Sequence, residues 1–193
     1  MCDPALPMYL ATLGALVLLV LVTFSEPFIS TFYFLRTDAS GGVRFGLFGY
    51  CFEATGMCTP KSLGYSFDPQ LIGSLTTPLV LFPISAGLAA FAAFLLFFII
   101  CCHSWWRHPH PTFCLVSTLA FLSSLGGLGV ALYLFVTALV RFHKDGFSAS
   151  LGPSIWLALG ATVLLFAVAL NAGCGTCLGG RFGRQSRRVA YNY

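Results

Sequence analysis

Eight cysteines and four histidines are the residues of this chain best suited to redox or metal chemistry. Cys174-Gly175-Thr176-Cys177 has the C-x-x-C spacing of thiol–disulfide exchange, and Cys51 and Cys58 form a second close pair. Exchange requires the two pairs to meet. Three long apolar stretches separate them, which puts them on opposite faces of a membrane. The C-x-x-C also follows a helical segment, and a helix C-terminus disfavours a thiolate. A quinone-linked thiol oxidoreductase is therefore disfavoured. Cys101, Cys102, His103, His108 and His110 are zinc-ligand types. Three of them are adjacent, and Pro109 and Pro111 interrupt the rest, so the usual ligand spacing is missing. The segment reads instead as an interfacial loop, with Trp105 and Trp106 at the lipid headgroups and Arg107 facing phosphate. His143 is a solitary loop histidine, and no phosphate-cradling glycine loop or catalytic triad pattern is present. The expectation is a non-catalytic protein with no cofactor or metal site.

The elements that carry these residues follow from composition. Of 193 residues, 58% are hydrophobic and 8% charged, against about 25% charged in a soluble domain. Such a surface cannot be covered for water, so lipid is its solvent. A helix needs roughly 20 apolar residues to span a bilayer. Four stretches meet this: 8–24, 77–101, 112–140 and 154–174. None holds Asp, Glu, Lys, Arg or His, which speaks against a transport pathway. Asn171 is the main internal polar group and suggests an interhelical hydrogen bond. Small residues recur four apart at Ser85, Ala89 and Ala93, at Ala120 and Ser124, and at Ser123, Gly127 and Ala131. Such rows let helices approach closely. The first span lacks a basic leader and a small-x-small cleavage site, so it is read as retained. The chain is one membrane domain with a loop at 25–76 and a basic tail at 175–193.

Four spans put both termini on one side. Lys and Arg counts tie between the sides, but Arg181, Arg184, Arg187 and Arg188 crowd the segment after the last span. That density favours a cytoplasmic tail contacting anionic lipid headgroups, and the cluster is too small to imply nucleic acid. Cys51 and Cys58 then face an oxidising compartment. Cys101, Cys102, Cys174 and Cys177 sit at cytoplasmic membrane exits, where they are candidates for S-palmitoylation.

The 25–76 loop reads as a small β domain. Phe28 to Leu35 is rich in β-branched and aromatic residues and suggests a strand. Ser40-Gly41-Gly42 suggests a turn. Val43 to Phe52 suggests a second strand, and Met57 to Tyr65 a third. Alternation along the second would send Phe45 and Leu47 to one face and Phe48 and Tyr50 to the other. A Cys51–Cys58 disulfide would close a ring of eight residues and stabilise it by roughly 2.5 kcal/mol.

The run Arg44-Phe45-Gly46-Leu47-Phe48-Gly49-Tyr50-Cys51, followed by Cys58 and Leu63-Gly64-Tyr65, resembles the first-loop signature of the fungal PalI/Sur family of membrane proteins. Leu75 to Leu88, leading into the second span, and Leu151 to Ala158, before the fourth, are similar to that family too. The same loop run is similar to the claudin motif. The resemblance implies a four-helix bundle capped by a small extracytoplasmic antiparallel sheet, as in claudins. It also implies a multi-pass plasma-membrane protein that assists a multi-span sensor in ambient-pH signalling. Alternatives are a Sur-type organiser of cortical membrane domains, associated with eisosomes, and a claudin-like adhesion protein. The implied partners are membrane lipids and another integral membrane protein, with self-association left open. Some PalI-type members carry a long polar tail. This chain ends about nineteen residues after Cys174, so functions seated in such a tail are not expected here.

Overall fold

The structure is a computed structural model. It describes residues 5–60, 62, 64–65, 76–101 and 111–189, with the backbone alone at 5, 40, 99–100, 111 and 174–189. Four helices dominate: α1 (Ala5–Thr23), α2 (Leu81–Cys101), α3 (Pro111–Lys144) and α4 (Pro153–Val189). Each is long and apolar enough to cross a membrane. α1 packs on α2, α2 on α3, α3 on α4, and α4 on α1, so the bundle closes in chain order. A 3₁₀ turn over Thr77–Val80 precedes α2. Pro78 in that turn and Pro153 at the start of α4 sit in first turns, where their missing N–H costs nothing.

The small-residue rows are where the helices meet. Ser85, Ala89 and Ala93 are buried on α2, as are Ala120, Ser124 and Ala131 on α3. Ser85 Oγ donates to the Ala120 carbonyl at 2.8 Å, and Ser123 Oγ to the Leu81 carbonyl at 3.0 Å. Ser124 and Thr162 share a 2.7 Å bond that ties α3 to α4. Small side chains let the backbones approach, and the hydroxyls find carbonyl partners that lipid cannot supply. Asn171 does something other than the interhelical bonding read from sequence. Its amide nitrogen donates to the Ala167 carbonyl of its own helix at 2.7 Å.

Two helices overrun the expected spans. The 34 residues of α3 make it about 51 Å long, against roughly 30 Å of hydrocarbon. Arg141 does not end it; the helix continues to Lys144. α4 likewise runs past Cys174 to Val189. Tyr133 on α3 and Trp156 on α4 are about two-thirds exposed, at 64% and 67%. Amphipathic rings of this kind settle at a membrane–water boundary. About three turns of α3 continue beyond Tyr133, a projection longer than the hydrocarbon alone requires.

A four-stranded antiparallel sheet packs on that projection. Its order is β3-β2-β1-β4, with β1 Leu35–Thr37, β2 Val43–Phe45, β3 Tyr50–Phe52 and β4 Ala149–Leu151. Three sequence expectations are corrected here. The Phe28–Leu35 stretch is not a strand until its last residue; Phe24 to Phe28 form turns just after α1. Val43 to Phe52 is a hairpin, not one strand. Among its described residues, Met57 to Tyr65 contributes one isolated bridge, Cys51 to Cys58. The fourth strand comes from the connection between α3 and α4, which the sequence did not mark as β.

One core runs from the bundle into the sheet. The Phe34 ring stacks on Phe135 of α3 at 5.0 Å and tilts against Phe82 of α2 at 6.1 Å. Phe45 of β2 meets Phe142 of α3 at 6.1 Å. All five rings are fully buried. Phe142→Ala should therefore destabilise the protein by about 3–5 kcal/mol, since the helix and sheet cannot collapse onto the space left. Phe147→Ala, at a half-exposed ring a few residues on, should cost within about 0.5 kcal/mol. Thermal unfolding of the two purified variants measures the difference.

Candidate functional site

The loop signature Gly46-Leu47-Phe48-Gly49-Tyr50-Cys51 forms the turn of the β2–β3 hairpin and the first two residues of β3. Val43 pairs with Phe52, Arg44 with Cys51 and Phe45 with Tyr50. Phe45 and Tyr50 are thus cross-strand partners, with rings 5.7 Å apart. The expected split, with Tyr50 on the face away from Phe45, is overturned, because the chain reverses between them and alternation restarts. Leu47 is fully buried. Phe48 packs edge-on against Phe28 at 6.1 Å.

The turn takes its partners from other elements. Gly46 N–H donates to the Gly49 carbonyl at 2.8 Å. Leu47 N–H donates to Ser25 Oγ at 3.1 Å, and Tyr65 Oη donates to the Gly46 carbonyl at 2.7 Å. The Glu26 backbone crosses so close that a Cβ on Gly46 would lie 1.8 Å from the Glu26 carbonyl oxygen. Only glycine fits there. Gly152 meets the same constraint between β4 and α4, where a Cβ would fall 2.0 Å from the Tyr33 carbonyl oxygen. Both glycines belong to runs picked out from sequence.

Cys51 and Cys58 are joined in a disulfide. It fastens β3 to the segment that follows, beside the bonds from Phe52 N–H to Met57 and from Thr59 N–H to Tyr50. The charges sit alongside. Arg36 of β1 and Arg44 of β2 are register partners, and like charges opposite one another are unfavourable. Glu53 resolves this by bridging both: one carboxylate oxygen takes Arg36 Nη2 at 2.9 Å and the other takes Arg44 Nε. Arg44 Nη1 also donates to the Ser30 carbonyl at 3.0 Å. The sequence offered no signal for this arrangement, because Glu53 lies outside the motif.

Glu26 stands near this pair. It is only 5% exposed, and its Oε2 has no hydrogen-bond partner among the described residues. Burial raises its pKa above the usual carboxylate range; the Arg44 charge pulls the other way, and the Glu53 charge adds to the rise. For Glu53, burial also pushes upward, but the hydrogen bonds and charges of Arg44 and Arg36 outweigh it and hold the carboxyl low. Glu26, Arg44, Glu53, Phe28 and Phe52 help line a cavity of about 380 Å³ against the disulfide.

Several sequence candidates are not brought to this site. Cys101 is a free, exposed thiol at the far end of α2. Cys102, Trp105, Trp106 and Arg107 lie outside the described residues. So do the side chains of Cys174, Cys177, Arg181, Arg184, Arg187 and Arg188, whose backbone is helical. Among the described residues no group of three or more His, Cys, Asp or Glu could hold a metal ion. His143 Nδ1 pairs with the Leu139 carbonyl of its own helix.

The opposite pKa shifts give opposite pH signatures. A raised folded-state pKa favours folding at low pH and costs stability as pH rises through it; a depressed one favours folding above the unfolded value and is lost as pH falls through it. Glu26→Gln should therefore stabilise the protein at neutral pH, with the gain shrinking on acidification. Glu53→Gln should destabilise it at neutral pH, with the loss shrinking on acidification. Thermal midpoints measured from acid to neutral pH check this; differences of the same sign would contradict it.

No curated protein matches this chain. The model of the SUR7/PalI family matches residues 4–168, which takes in three whole helices, the sheet with its disulfide and most of the apolar part of α4. This four-span membrane protein belongs to the SUR7/PalI family.

Proposed function

We propose that the protein is a non-catalytic plasma-membrane accessory of the PalI type, which assists a separate multi-span sensor in ambient-pH signalling. The observation that supports this reading is the family match, which covers the bundle and the capping sheet together and fits the PalI and Sur types alike. The hairpin motif supports it. Gly46, Leu47, Phe48 and Tyr50 are all engaged in packing or backbone bonds, as befits a scaffold more than a reaction centre. The sheet faces outward and both termini lie in the cytosol. A disulfide in the sheet domain and arginines after the last span support that orientation. On the cytosolic side the arginine tail contacts anionic headgroups, and Cys101, exposed at the end of α2, is a site for acylation together with Cys102, Cys174 and Cys177.

Deletion of the gene, complemented by the protein tagged after Tyr193, tests the reading. Growth at alkaline pH should fail on deletion and return on complementation. The tag should survive protease added to intact cells and co-purify with the sensor. Normal alkaline growth with disturbed cortical patches would overturn the proposal in favour of a Sur-type organiser. Cleavage of the tag would overturn the orientation.

A further inference from the structure

The cavity beside the disulfide has the lining of a ligand site, and its polar groups state what they need. Glu26 Oε2 is a buried acceptor that no described residue satisfies. An unpaired buried carboxylate oxygen is costly, so a donor brought to it is well rewarded. Arg44 supplies the converse. Its Nε and Nη1 are taken by Glu53 and the Ser30 carbonyl, while its Nη2 has no acceptor among the described residues. The guanidinium is held in place on the Tyr33 ring, 5.6 Å from its centroid. The walls between these groups are apolar: Phe28, Phe52, Pro27 and the disulfide. A volume of about 380 Å³ lies within the range of small-ligand pockets, roughly 300–1,000 Å³.

Charge narrows the ligand class. Arg44, Glu53 and Glu26 line the cavity, and Arg36, outside the lining, compensates Glu53 through its ion pair. The site is thus close to neutral as a whole. A simple amine would satisfy Glu26 but face the Arg44 guanidinium. A simple anion would satisfy Arg44 but face both glutamates. A hydroxyl both donates and accepts, so one neutral polyhydroxyl ring can serve Glu26 and Arg44 together while its C–H faces lie on the aromatic walls. We propose that the cavity lined by Glu26, Arg44, Phe28 and Phe52 is a binding site for a single sugar ring, with Glu26 accepting from one ring hydroxyl and Arg44 Nη2 donating to another. Glu26 follows the end of α1 by only three residues. The ring can therefore belong to a free glycan or to the headgroup of a glycosylated lipid in the same leaflet. The site does not depend on whether the protein serves pH signalling or cortical organisation.

The test uses the full chain in lipid nanodiscs. The methyl glycosides of glucose, mannose and N-acetylglucosamine are titrated by saturation-transfer NMR, and nanodiscs with and without a hexosylated ceramide are compared by native mass spectrometry. Ethanolamine and inorganic phosphate serve as amine and anion controls. At least one hexose should bind, and neither control should displace it. Glu26→Gln should weaken binding about tenfold or more, the scale of a hydrogen bond to a charged group. Phe28→Ala, which removes a half-exposed wall without touching a charge, should weaken it as well. Blocked Cys51 and Cys58 in a thiol-alkylation assay confirm that each variant has folded. Binding of the free glycosides supports a glycan source, and retention of only the ceramide supports a lipid source. Three results would overturn the proposal: no hexose bound in either form, displacement by ethanolamine or phosphate, or unchanged affinity in both folded variants.

Discussion

The sheet depends on a helix longer than a bilayer core requires. Four strands of three residues each have little core of their own, and small isolated sheets are marginal in water. The projecting end of α3 gives them one. Phe135, Ala138 and Phe142 lie at helical spacing along that end, all fully buried. Phe34 and Phe45 close on them from the sheet side. Bundle and sheet therefore share a single apolar core.

With that contact in place, the remaining features act as fasteners. β4 follows α3 after a turn at Gly146 and pairs with β1, so one connection both leaves the helix and completes the sheet. Asp38 N–H and Thr37 Oγ1 both donate to the Ser148 carbonyl, which pins the start of β4. At the opposite edge, the disulfide holds the segment after β3. Glu53 bridges two arginines that the register forces together. Glu26, next to them, is one of two exceptions among the described residues, with Ser154 at the start of α4: its backbone is clamped against Gly46, while its Oε2 has no partner there. A buried polar group without a partner runs against the economy of the rest of the domain, and such exceptions concentrate where proteins bind something.

Much of this was legible in the sequence, and the gaps have physical causes. The spans stand out because lipid demands long uncharged stretches, and the cysteine pair because its spacing permits closure. Strand positions were harder. Phe28 to Leu35 has strand composition, but its aromatics pack on other rings and on the helices, and β pairing begins only at Leu35. The Val43–Phe52 run looked continuous because Leu47 and Phe48 are apolar, although the glycines on either side mark a hairpin turn. β4 carries no signal of its own; Ala149-Ser150-Leu151 becomes a strand because β1 offers an edge. The pairing of Glu53 with two arginines, and the isolation of Glu26, are tertiary facts that no local pattern encodes.

Because α3 and the sheet share one core, they should open as one cooperative unit. Amide hydrogen exchange of the full chain in nanodiscs, read by mass spectrometry, tests this directly. Residues 134–144 of α3 should exchange as slowly as β1 and β2, and Phe142→Ala should speed all three together. Fast exchange at 134–144 beside a protected sheet, or a sheet left unchanged by that substitution, would contradict it.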